Sequence, residues 1–119
     1  MLENHLPVNF DKIEEMSEGD AEFKAELINA LYNSLSELKV KYLEGAESQD
    51  LEIISQIRHK VKPALTLFEI DILGGIIQEG KEIIVEKGFN QDFLHHLEQF
   101  LDAVQNAIDH VGTHLEKGD

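Results

Sequence analysis

The sequence predicts an all-α fold: an antiparallel four-helix bundle with a short N-terminal lid helix. Three observations point there. Apolar residues recur at steps of three and four almost throughout. Only two prolines interrupt that spacing. Short turns rich in Gly and Asp separate the periodic stretches, as antiparallel neighbours require. At 119 residues the chain fits one domain, residues 1–119, around a single core.

Taken in order, residues 1–8 read as an irregular leader, and Asn9 as the N-cap of a short helix to about Met16. Ser17-Glu18-Gly19-Asp20 is a turn, and Asp20 caps a long helix. Its apolar stripe is Phe23, Leu27, Leu31, Leu35, Leu38 and Tyr42, and Gly45 is placed to stop it. Ser48 to Asp50 opens the next helix, with Leu51, Ile54, Ile57, Val61, Leu65 and Phe68 inward. A further helix runs from about Ile70 to Glu86 and ends at Gly88. Gly74, Gly75 and Gly80 lie inside it, each costing roughly 1 kcal/mol against Ala, so close backbone packing is the expected compensation. Asn90 caps the last helix, with Phe93, Leu97, Leu101, Val104, Ile108, Val111 and Leu115 inward.

Composition narrows the function classes. The net charge of -14 argues against a broad nucleic-acid surface. The apolar runs are too short to cross a bilayer, and no basic region precedes an apolar one as in a secretory leader. Without cysteine there is no disulfide framework and no thiolate metal site. A cytoplasmic protein with neither nucleic-acid nor membrane partners is the expectation. No Gly-x-x-x-x-Gly-Lys-Ser/Thr loop or Gly-rich nucleotide box is present, so the chain should neither bind ATP nor phosphorylate itself.

One stretch departs from the acidic background. Asp and Glu number 24 in 119 residues, yet none occurs from Ile53 to Phe68, where about three are expected by chance. At its centre stands Arg58-His59-Lys60-Val61-Lys62-Pro63. Opposite the apolar stripe of this helix lie Glu52, Ser55, Gln56, His59, Lys62, Pro63 and Thr66, so His59 should face solvent. Lys62, at i+3, shares that face and can reach an anion on the imidazole. The nucleophile in phosphoryl transfer is the unprotonated ring nitrogen, and neighbouring cations disfavour its protonation. Lys62 would then neutralise charge on the transferring oxygens. Pro63 removes a helical hydrogen bond and crowds the carbonyl of His59. The expectation is a kink that leaves a compact surface beside the imidazole, rather than a break into two helices.

Asn9-Phe10-Asp11, then Glu18-Gly19-Asp20-Ala21-Glu22-Phe23 with Glu26-Leu27, then His59-x-x-Lys62, resemble the histidine-containing phosphotransfer (HPt) domains of multistep two-component phosphorelays. The resemblance spans roughly residues 9–88. It implies His59 as phosphoacceptor and Lys62 as the phosphate-stabilising cation. Ser55, Gln56, Arg58, Lys60, Pro63 and Thr66 would form the docking face for receiver domains of response regulators or hybrid kinases. It also implies a monomer that binds no cofactor of its own, with Mg²⁺ on the receiver. The family usually has Gly directly after the Lys, where this chain has Pro63. It usually ends the following stretch in Leu-Gly-Ala, where this chain has Leu67-Phe68-Glu69.

The remaining chemistry is sparser. His110 and His114, at i and i+4, have a spacing that can chelate a metal, but Ala103 and Ala107 supply no further ligand, and His96 lies about 21 Å along the axis. His95 is read as solvated, and His5 has no assigned role. No pair of Glu-x-x-His motifs suggests a di-iron bundle. Two alternatives stay open. One is the dimerisation and phosphotransfer region of a sensor histidine kinase, although its histidine box usually has an acid where Lys60 stands. The other is a bundle that binds a receiver without being phosphorylated.

Overall fold

The computed structural model describes residues 8–117, with side chains to Leu115. Most of the leader, with His5, lies outside the described residues. The fold is an all-α bundle of five helices, with no strand among the described residues: α1 Phe10–Ser17, α2 Ala21–Ser48, α3 Leu51–Leu67, α4 Asp71–Lys87 and α5 Gln91–Lys117. Packing joins α2 to α1, α3 and α5, and α4 to α3 and α5. No described helix is long and apolar enough to cross a membrane.

Local chemistry sets the ends. The side chains of Asn9, Asp20, Asp50 and Asn90 accept from backbone N–H groups in the first turns of α1, α2, α3 and α5, satisfying donors that a helix leaves unpaired. Gly88, at φ 77°, ends α4. Gly45 does not stop α2, which continues to Ser48 and closes on Gln49 at φ 53°. The glycine serves close packing instead: a Cβ there would lie 2.7 Å from Cγ1 of Ile54 on α3. Helix α3 runs unbroken through Pro63, so the proline does not divide it.

The core gathers Leu31, Leu35, Leu38 and Tyr42 from α2 with Ile54, Ile57, Val61 and Leu65 from α3. Leu73, Ile77 and Ile84 join from α4, and Phe93, Phe100, Val104 and Val111 from α5. Two expected core residues lie at helix beginnings and stay outside: Phe23 is 41% exposed and Leu51 39%. Lys60 of α3 stands against Glu37 of α2. On α5 Phe93, Val104, Ile108 and Val111 are buried as expected, but between Phe93 and Val104 the stripe is shifted by one position. His96 and Phe100 are buried, while Leu97 and Leu101 are only half-buried. Because α5 contacts both α2 and α4, its buried arc is centred between the two.

Helix α1 lies over one end. Val8 and Ile13 are buried beneath it. The Phe10 ring stacks on His114 (3.5 Å between centroids) and meets His110 edge-on at 4.9 Å. Glu69, in the α3–α4 turn, accepts from Asn9 at 2.9 Å and pairs with Lys12.

Candidate functional site

The buried stripe Ile54, Ile57, Val61 and Leu65 fixes the rotation of α3 and therefore what it presents outward. Gln56, His59, Lys60, Lys62, Pro63 and Thr66 are exposed, and Ser55 and Arg58 are half-buried. His59 thus stands mid-helix on an accessible face, with Lys62 and Pro63 one turn beyond it. The missing N–H of Pro63 leaves the His59 carbonyl without its usual helical donor.

The three cations of the run have different surroundings. Lys60 reaches across to α2 and pairs with Glu37 at 2.8 Å. That carboxylate enters from a neighbouring helix, so an acid-free run in sequence is not an acid-free surface in space. Arg58 and Lys62 have no ion pair or hydrogen bond among the described residues, and Arg58 Nε is buried without an acceptor. Both line a cleft of about 300 Å³ between α3 and α4, which Thr66, Asp71 and Gln78 also border. The residues grouped by sequence therefore divide between the outward His59 face and the cleft at its side. Lys62 and Thr66 are exposed residues that also belong to the cleft.

A second polar centre escaped the sequence reading. His96 of α5 is buried at 2% exposure, and its Nε2 lies 2.7 Å from the hydroxyl of Tyr42 on α2. The Tyr42 ring stacks against Phe100, with centroids 4.0 Å apart. Gly80 of α4 closes the third side: a Cβ there would be 2.3 Å from Nε2 of His96 and 2.4 Å from the Tyr42 oxygen. Burial pushes the Tyr42 phenol well above its ordinary range, opposed by the charge of Arg58. Burial pushes the His96 imidazole down, opposed by Glu79. Both groups are therefore neutral near pH 7, and Nδ1 of His96 has no partner. The legible signal was the i, i+4 spacing of His96 and Phe100 beside a helical glycine.

The remaining glycines and histidines sort by packing. Nothing lies within 4 Å of a Cβ built on Gly74 or Gly75, so the expected close packing holds at Gly80 and fails at those two. His110 and His114 both pack against Phe10 rather than standing free. Among the described residues no three His, Asp or Glu side chains gather as a metal site would need. His95 is exposed.

Chemically, the α3 face offers an accessible imidazole, which can act as a nucleophile when unprotonated. Two unpaired cations lie within a turn of it and can neutralise an oxyanion. No family model, curated protein or solved structure matches the chain.

Proposed function

We propose that this chain is a phosphocarrier of the histidine phosphotransfer kind, built as an antiparallel four-helix bundle (α2–α5) with α1 as its lid. Support for the arrangement comes from facing pairs: Glu37 with Lys60, Lys39 with Gln105, Gly80 with His96 and Lys87 with Asp92. The functional reading is carried by one observation. His59 is exposed mid-helix, and the nearest cations along its helix toward α4, Arg58 and Lys62, have no carboxylate partner.

In this reading a receiver's phospho-aspartate docks over α3, with Mg²⁺ held by the receiver. His59 Nε2 attacks phosphorus in line, forming the N–P bond as the acyl O–P bond breaks and the aspartate leaves as a carboxylate. Lys62 neutralises the equatorial oxygens. A second receiver aspartate then reverses the exchange. Pro63 and Leu67 (the latter 47% exposed) supply apolar docking surface beside the imidazole. Arg58 and Lys62 draw the acidic pocket of the receiver. Lys60, tied to Glu37, contributes less to that attraction.

The test is to incubate the chain with a phosphorylated receiver and Mg²⁺ and to measure acid-labile, base-stable phosphate. Label on the wild type and none on His59→Gln is the expected result. Label persisting on His59→Gln sinks the assignment. Absence of label on both, with receiver binding retained, leaves a bundle that binds without phosphorylation. Elution as a monomer is expected; an obligate dimer favours the kinase dimerisation region.

A further inference from the structure

We infer that the α3–α4 cleft, which borders the outward face of His59 and shares Arg58 and Lys62 with it, is a binding site for a small organic phosphate monoester. Arg58 and Lys62 stand at i and i+4 on α3 and line the same space. Like charges at that spacing repel, and neither is neutralised by a carboxylate among the described residues. Acids are not scarce: the chain has 24 of them, and Lys12, Lys24, Lys41, Lys60 and Lys87 each take one. An anion bridging Arg58 and Lys62 turns their repulsion into two charge-assisted hydrogen bonds. Burial of Arg58 Nε keeps part of the guanidinium out of water, which weakens screening of its charge. Asp71 also borders the cleft and leaves one net positive charge among the ionised groups that line it.

Shape selects an ester over the bare ion. The cleft volume of about 300 Å³ lies at the small end of small-molecule sites and exceeds what one phosphate fills. Leu65, Ile70 and Ile77 give it apolar lining, and Thr66 and Gln78 add neutral hydrogen-bonding groups. On the α4 side Gly74 has no side chain, and nothing occupies the space a Cβ would enter. The cleft is therefore open on that side. The phosphate sits between Arg58 and Lys62, and the ester group lies toward Leu65 and Ile77.

The site does not depend on the reaction proposed for His59, and the experiment keeps the two apart. The unphosphorylated chain is titrated with n-butyl phosphate at constant ionic strength, following the amide resonances of Thr66, Gly74 and Gln78. Saturable shifts confined to the cleft are expected, with inorganic phosphate binding several-fold more weakly. Arg58→Gln should weaken binding about tenfold. Gly74→Leu, which fills the cleft and favours the helix, should abolish it, and His59→Gln should leave it unchanged. Shifts that never saturate, or an affinity unaltered in both Arg58→Gln and Gly74→Leu, overturn the site. Equal affinity for inorganic phosphate overturns the apolar subsite, and loss in His59→Gln moves the ligand to the imidazole face.

Discussion

Two histidines on helices of the same bundle occupy opposite environments. His59 of α3 is exposed on a face where two of the three neighbouring cations, Arg58 and Lys62, are unneutralised among the described residues, whereas His96 of α5 is buried among Tyr42, Phe93 and Gly80. The first has access and no tight neighbour. The second has tight neighbours and almost no exposed surface. Chemistry needs the former, because a nucleophile must be reached. Structural precision needs the latter, because a buried polar pair has few ways to be satisfied. If that contrast is right, substitutions around His96 act on folding and those around His59 do not.

The largest effect should come from Gly80→Ala. Its new methyl would overlap both members of the Tyr42–His96 pair, so the ring must shift and the hydrogen bond lengthen. A loss of about 3 kcal/mol is expected, or on the order of 10 °C in Tm. Urea unfolding of the variant checks it, and a change within about 0.5 kcal/mol would mean that α4 slides away at little cost.

Tyr42→Phe should cost less, about 1–2 kcal/mol, since it strands Nε2 of His96 beside an already unpartnered Nδ1. The pair also offers a sharper measurement. With the Tyr42 oxygen gone, one of the two overlaps at Gly80 disappears, so Tyr42→Phe combined with Gly80→Ala should lose less than the sum of the singles. Strict additivity would show that the glycine and the tyrosine are not coupled.

How far the sequence could reveal these regions follows from what periodicity contains. The caps Asn9, Asp20 and Asn90, the helix opening within Ser48 to Asp50 and the stop at Gly88 were legible because each is a local contact within one turn. The outward placement of His59 was legible too, because one apolar stripe fixes one helix rotation. What periodicity lacks is the neighbour. A helix advances about 100° per residue, so an inward stripe is uncertain by one position, enough to exchange Leu97 for His96 on α5. Nor could spacing tell that Gly45 marks a close approach to Ile54 and not a helix end, or that Gly80 has a neighbour when Gly74 has none. Glu37 beside Lys60 belongs to the same class of fact, a pairing of distant segments.

Acid should separate the regions by a third route. Burial lowers the folded-state pKa of His96, and that of His110, where the charge of His114 adds to burial. A group with a depressed folded pKa binds more protons when unfolded, so stability falls as pH drops below the ordinary imidazole value of about 6.5. The groups facing His96 do not act alike: Glu79 favours its protonation, and desolvation prevails over it. Urea midpoints should therefore decrease between about pH 7.5 and 5.5, and His110→Gln should retain part of that decrease. If the whole decrease vanishes in His110→Gln, the contact of His110 with Phe10 and not the buried pair is the acid-sensitive element.

Gly74→Ala should stabilise by about 1 kcal/mol, the helix-propensity gain, because nothing lies within 4 Å of the added methyl. The same substitution six residues apart on α4 thus has opposite signs, which no propensity scale can produce. A loss at Gly74 would mean that the cleft beside Arg58 and Lys62 is closed in solution.

The smallest expected effect on folding is also the decisive one for function. His59→Gln removes an exposed ring for which no protein hydrogen bond is found among the described side chains, so its urea midpoint should match the wild type within about 0.5 kcal/mol. Glutamine keeps the size, the helix propensity and a polar tip; only the nucleophilic nitrogen goes. If such a variant accepts no phosphoryl group yet unfolds like the wild type, the loss cannot be assigned to damaged packing. If it is destabilised by as much as Tyr42→Phe, then His59 has a structural partner, and the division between an exposed reactive histidine and a buried structural one collapses.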